Sequence, residues 1–372
     1  MASLSELFVG ISGFTWQHGV MVLVGLILIY LAIAKEYEPT LLLPIGFGAI
    51  LVNIPFSAAI DQASGHGVLS ILFRAGIITE LFPLLIFVAI GAMIDFAPLL
   101  QNPKMLLFGA AAQFGIFATM CFAALAGFSL KQAASIGIIG AADGPTSIVV
   151  STRFAPELLG AISVAAYSYM ALVPIIQRPV IKLLTTKHER RIRMDHKYQP
   201  VSRATRIAFP LVVTLVTSLF VPSAAALIGM LMFGNLLREA GVVERLSKGA
   251  QNELANIVTL LLGITIGSTM VAERFLTSST LLIIGMGLVA FIFDTVGGVL
   301  FAKLLNLFLK HKINPMIGAC GISAFPMAAR VVYKLGLEED KQNHLLMHAV
   351  SANVGGQIAS VVAGGLILAL VS

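Results

Sequence analysis

Long apolar runs almost free of charge recur along the whole chain, at about 18–34, 40–54, 81–97, 105–128, 157–177, 207–221, 223–237, 254–272, 277–300 and 345–371. A helix needs roughly 20 such residues to cross the hydrocarbon core of a bilayer, and several of these runs reach or approach that length. The shorter ones suit helices that are broken, tilted or shielded by protein. An all-α polytopic membrane protein with about ten transmembrane helices is therefore expected. Composition agrees, because 58% of the residues are hydrophobic and 11% charged, against about 25% charged in a soluble domain. The same figures exclude a disordered chain. The two cysteines, Cys121 and Cys320, sit far apart in apolar surroundings and do not make a disulfide framework. The first run ends in Lys35-Glu36-Tyr37-Glu38 with no basic segment before it, so it reads as a retained helix and not a cleaved signal.

The formal charge of +6 does not point to nucleic acid, since eight of the 24 Lys and Arg residues lie between Lys182 and Arg206. That stretch reads as a basic cytoplasmic linker at 181–206, and the basic segments Arg238–Lys248 and Lys303–Lys312 fall on the same side.

Two apolar stretches do not read as plain spans. One, at 134–152, contains Gly140, Asp143, Gly144 and Pro145; the other, at 313–332, contains Asn314, Pro315, Gly318, Gly321, Ser323 and Pro326. Irregular backbone at membrane depth survives only where protein buries it or it lines a cavity, so both are expected to be re-entrant broken-helix hairpins. Their spacing points to duplication. Gly140 precedes Pro145 by five, as Gly321 precedes Pro326, at an offset of 181. Pro39 and Gly46 match Pro222 and Gly229 at an offset of 183, and Ala89–Ala92 matches Thr265–Ser268 at 176. Counting crossings from the basic linker makes the first hairpin enter from outside and the second from inside. The expectation is two inverted-topology repeats, 1–180 and 207–372, with ion and substrate sites near the midplane where discontinuous helices meet.

Asp143 is the first candidate within that frame, because no Lys or Arg lies within nine residues of it. A carboxylate at membrane depth should hold a cation or a proton, although the following Gly-Pro also suits an N-cap aspartate. Thr146 and Ser147 add hydroxyl oxygens, a hard donor set suited to Na⁺. No thiolate or imidazole cluster indicates a transition metal. Asn314 and Ser323 offer neutral oxygens, and Arg330 can hold a carboxylate or anchor at the cytoplasmic face. Tyr169 and Asn353, 24 residues after Pro145 and 27 after Pro326, are placed alike in the last helix of each half. They can complete the site or bond helix to helix. Asp95, Glu273 and Arg274 read as helix ends, while Asp294 lies inside an apolar run. His188, His196 and His311 belong to basic loops, and the pair His344 and His348 has no third ligand. There is no P-loop, dinucleotide fingerprint or nucleophile elbow, so transport would be driven by a gradient or by chemistry that a partner brings.

Gly140-Ala-Ala-Asp143-Gly-Pro-Thr-Ser147, Asn314-Pro-Met-Ile-Gly318, Gly321-Ile-Ser323-Ala-Phe-Pro-Met-Ala-Ala-Arg330 and Met347-His-Ala-Val-Ser-Ala-Asn353-Val-Gly resemble the β-subunits of the sodium-translocating, biotin-dependent decarboxylases. Glu38-Pro39-Thr-Leu-Leu-Leu-Pro44-Ile-Gly-Phe-Gly48 is similar to the early helix of that family. The resemblance implies a multi-pass protein of the bacterial inner membrane that decarboxylates carboxybiotin, exports Na⁺ and consumes a proton. Implied partners are a carboxyltransferase subunit, a biotin carrier protein or domain and a small γ/δ-type membrane subunit, in a complex containing several copies of the chain. The resemblance also makes Asp143 the Na⁺-binding aspartate, places Asn314, Gly318, Ser323 and Asn353 at a second ion site, and makes Tyr169 and Arg330 functional, Arg330 toward carboxybiotin. The rival readings are a free-standing Na⁺/carboxylate symporter and a purely structural anchor.

Overall fold

The computed structural model describes residues 8–60, 67–194 and 200–371; the expected loop residue His196 and the middle of the basic linker lie outside them. The described residues form helices and connecting loops with no β-strand. In chain order the main helices are α1 Trp16–Ala34, α2 Pro39–Val52, α3 Leu81–Met93, α4 Leu106–Ala112, α5 Phe114–Leu125, α6 Leu130–Gly137 and α7 Gly144–Phe154. They continue with α8 Leu159–Leu184, α9 Arg203–Phe220, α10 Ala225–Ala240, α11 Ala255–Gly267, α12 Ser278–Phe308, α13 Met327–Glu339 and α14 Leu346–Leu370. Local chemistry sets several starts. Thr15 caps α1, Ser129 caps α6 in a box with Gln132, and Thr277 caps α12, each supplying an oxygen to an otherwise unpaired first-turn amide.

Among the described residues, six helices are long and apolar enough to cross a bilayer, or seven if the pair Val68–Ile78 and Leu81–Met93, bent by 62°, is one span. The expected count of ten includes runs that fall below that length. The runs at 40–54, 223–237 and 254–272 do fold as helices, of 14, 16 and 13 residues. At about 1.5 Å per residue each falls short of a hydrocarbon core of about 30 Å. Protein cover explains how short helices persist. Helix α2 crosses α11, and α3 crosses α10. A Cβ on Gly91 would lie 1.8 Å from the Leu231 carbonyl oxygen, and one on Gly267 would lie 2.2 Å from that of Ile45. Only glycine lets these backbones touch.

Burial sorts the long helices. In their most apolar stretches α1 and α9 are 22% and 6% buried, whereas the segments containing α8 and α14 are 67% and 72% buried. The first pair forms the exposed rim and the second the centre.

Both irregular stretches break where Gly and Pro are placed. Helix α6 tightens into a 3-10 turn, Ile138–Ala141, the chain reverses at Ala142 (φ 51°), and α7 starts at Gly144. The second begins as a 3-10 turn, Pro315–Cys320, runs through an irregular segment and resumes as α13. These are hairpin 1 and hairpin 2. The linker is less free than its charge suggests: Arg190 pairs with Glu339 at 2.7 Å and Arg193 with Asp340 at 2.6 Å, beside the pair that Arg178 of α8 makes with Glu338 at 2.6 Å. The basic residues thus seat the linker on the acidic end of α13.

Candidate functional site

Asp143 is the N-cap of α7, with Pro145 in the first helical turn. Its carboxylate is 2% exposed and accepts hydrogen bonds from Thr146 Oγ1 (2.8 Å), the Thr146 amide (3.5 Å) and Ser360 Oγ (3.1 Å). Ser360 also shares a hydrogen bond with Ser323 Oγ. Hairpin 1, α14 and hairpin 2 are therefore joined side chain to side chain as Asp143, Ser360 and Ser323. A backbone bond runs beside this chain, from the Ser323 amide to the Ala141 carbonyl (3.3 Å). Ser147 Oγ donates to the carbonyls of Asp143 (2.9 Å) and Ile138 (3.4 Å).

The remaining predicted residues fall into two groups. Asn353 lies close to the centre: its Nδ2 donates to the Ile322 carbonyl (2.6 Å), beside Ser323, while its buried Oδ1 has no hydrogen-bond partner. None of the others is hydrogen-bonded to the Asp143 carboxylate. Tyr169 donates to the Ile284 carbonyl on α12 (2.5 Å). Asn314 spends its Nδ2 on the Arg190 and Ile192 carbonyls, each at 2.9 Å, and its Oδ1 on the Met316 amide. That arrangement caps hairpin 2. Gly318 packs against Gly298 of α12, where a Cβ would meet the Gly298 carbonyl oxygen at 2.0 Å. Arg330 is exposed on α13.

Two residues that the sequence pattern did not single out belong to the site. Ser360 lies seven residues after Asn353, two helical turns along one face, a spacing that would have revealed it. Tyr167 packs on hairpin 1: a Cβ on Gly144 would lie 2.6 Å from its hydroxyl oxygen, which is buried without a hydrogen-bond partner. Helix α8 thus touches hairpin 1 through Tyr167 and hairpin 2 through Gln177, whose Nε2 donates to the Ala319 carbonyl (2.8 Å). Helix α14 does likewise through Ser360 and Asn353.

One carboxylate surrounded by hydroxyl and carbonyl oxygens is a donor set for a hard cation. Among the described residues no group of three or more His, Cys, Asp or Glu side chains is arranged to hold a metal ion. A buried ionised carboxylate costs several kcal/mol unless compensated. Three donors offset part of that cost here, and a bound cation or a proton would offset the rest. Two cavities lie at opposite ends of α8: one of about 990 Å³ past its C-terminal end, beside Arg193, and one of about 760 Å³ at its start, beside Glu157. Asp143 lines neither.

The sequence matches the family described as Na⁺-transporting oxaloacetate decarboxylase beta subunit over residues 17–371. It is 53% identical to the methylmalonyl-CoA decarboxylase subunit beta of Veillonella parvula, over 98% of this chain and 95% of that protein. It is 53% identical to the glutaconyl-CoA decarboxylase subunit beta of Acidaminococcus fermentans, over 97% and 95%, and 48% identical to the oxaloacetate decarboxylase beta chain of Klebsiella pneumoniae, over 99% of both.

Proposed function

Because the chain belongs to the family of Na⁺-transporting oxaloacetate decarboxylase beta subunits, we propose that it is the membrane subunit that decarboxylates carboxybiotin and exports Na⁺. Carboxybiotin takes up one proton, the N–C bond breaks, and biotin and CO₂ leave. Na⁺ is the cargo. The observation that carries this reading is the Asp143, Ser360 and Ser323 chain, which joins both hairpins at a buried carboxylate.

Asp143 holds Na⁺ with hydroxyl oxygens of Thr146, Ser360 and Ser323 and with Asn353 Oδ1, the buried acceptor left open. Export against about 100 mV costs about 2.3 kcal/mol per charge, so decarboxylation must be tied to a change in Na⁺ affinity. Protonating Asp143 removes the charge that retains the ion, and the proton consumed by decarboxylation passes through this cluster. Asn314, Gly318 and Tyr169 act as positioning residues: Asn314 and Gly318 seat hairpin 2, and Tyr169 joins α8 to α12.

The chain is built as two inverted repeats, residues 1–180 and 207–372, joined by the basic cytoplasmic linker. Exchanged packing supports this arrangement: the second helix of each half crosses the third helix of the other, α2 with α11 and α10 with α3. The pairing of glycines follows the same exchange, and π-helical turns precede the third helix in both halves, at Phe73–Ile78 and Ala250–Leu254. The bacterial inner membrane is the location. The carboxyltransferase, the biotin carrier, a small γ/δ-type membrane subunit and further copies of this chain complete the complex. The soluble substrate belongs to the carboxyltransferase, since relatives of similar identity carry the names of three different substrates.

The test is to purify the chain from native membranes and probe with avidin. A co-purifying biotinylated protein and Na⁺-dependent decarboxylation are expected. Transport of a carboxylate by the isolated chain, with no biotinylated partner, would overturn the reading in favour of a free-standing symporter.

A further inference from the structure

The cavity past the C-terminal end of α8 is lined by Lys104, Arg193, Lys310, His311 and Lys312, and by no Asp or Glu among the described residues. Arg193 is paired with Asp340, and Lys312 donates to the Asn306 carbonyl. Lys104 and Lys310 are exposed and form no ion pair among the described residues. The inner wall is apolar: Met105 is 3% exposed and Phe108 is 1% exposed. That wall touches the machinery directly. A Cβ on Gly321, two residues before Ser323, would lie 2.1 Å from the Phe108 carbonyl oxygen. A Cβ on Gly355, two residues after Asn353, would lie 3.4 Å from the Met105 carbonyl oxygen.

A cationic rim over an apolar floor selects an anionic group carried on a largely apolar body. We propose that this cavity is where the carboxylated ring of carboxybiotin docks, its carboxylate toward Lys104 and Lys310 and its ring against Met105 and Phe108. The proposal rests on the function read above and gives that function a port on the side of the basic linker. Arg330 does not line this cavity. The ligand acts on hairpin 2 through the Phe108–Gly321 contact, two residues from Ser323 and its link to Asp143. A phospholipid headgroup shares the same chemistry, and lipid composition separates the two.

The test uses the complete complex, reconstituted once in phosphatidylcholine vesicles and once with added phosphatidylglycerol, turning over free carboxybiotin. With Lys104→Gln and Lys310→Gln combined, KM for carboxybiotin rises about tenfold in both membranes while kcat stays within about twofold, and the pair Lys104→Arg and Lys310→Arg restores KM. An unchanged KM overturns the proposal. A KM change seen only with phosphatidylglycerol also overturns it and gives the cavity to a headgroup. Wild-type complex that fails to turn over carboxybiotin would instead sink the functional reading and the ligand with it, a result distinct from wild-type turnover with an unaffected variant.

Discussion

Ser360 is the residue on which the site turns, since its hydroxyl touches both Asp143 and Ser323. A hydrogen bond to a charged group is worth about 1.5–3 kcal/mol, and about 1.4 kcal/mol is tenfold in affinity. Ser360→Ala is therefore expected to raise the Na⁺ concentration for half-maximal decarboxylation by about tenfold or more. Unaltered Na⁺ dependence would remove Ser360 from the site. Asp143 itself was legible in the sequence because a carboxylate in a Gly-Pro break at membrane depth, far from any Lys or Arg in the chain, needs a cation or a proton to offset its charge. Ser360 was not, because one more hydroxyl on a long apolar helix carries no signal until its spacing to Asn353 is measured against a known neighbour. Tyr167 and Tyr169 show the same limit: two residues apart on α8, they point about 200° apart around the helix, and only packing shows that Tyr167 meets Gly144.

The elements that look weakest as membrane spans carry the tightest contacts. Helices α2, α3, α10 and α11 are short, and each crosses its partner at backbone distance. A side chain at Gly91 or Gly267 would force these crossings apart, so Gly91→Val and Gly267→Val should each cost more than about 3 kcal/mol. The yield of folded complex reports this loss, with Gly285→Ala as control because a Cβ there meets nothing within 4 Å. Equal yields for all three would contradict backbone-distance packing at these crossings. The seat of hairpin 2 on the linker depends on pH. The Arg190 guanidinium beside Glu339 holds its carboxyl below the usual value of 4.5. The stabilisation is complete above about pH 4.5 and is lost as pH falls through the lowered folded value. Glu339→Gln should therefore flatten the acid limb of thermal stability below pH 4.5, measured on the purified complex. An unchanged limb would mean that this pair does not hold the seat.

At the scale of the whole molecule, the hydropathy pattern fixes the class of fold. Ten apolar runs are present, yet six helices among the described residues qualify by length and composition, because a buried crossing needs apolar residues without needing full length. The internal matches at offsets near 180 were readable since Gly and Pro are forced by breaks and crossings; the π-helical turns had no such signature. Inverted repeats predict opposite exposure of loops. With Cys121 replaced by Ser, a cysteine introduced at Ala126 should react with an impermeant thiol reagent from outside, and one at His311 only from inside. Reaction of both from the same side would rule out the inverted arrangement. The central claim is that one buried carboxylate couples carboxybiotin cleavage to Na⁺ movement. Its most direct test is uptake of radioactive Na⁺ by inside-out vesicles holding the complex with Asp143→Asn. Coupling through this carboxylate predicts assembled complex with neither uptake nor Na⁺-stimulated decarboxylation, whereas uptake at the wild-type rate would contradict it.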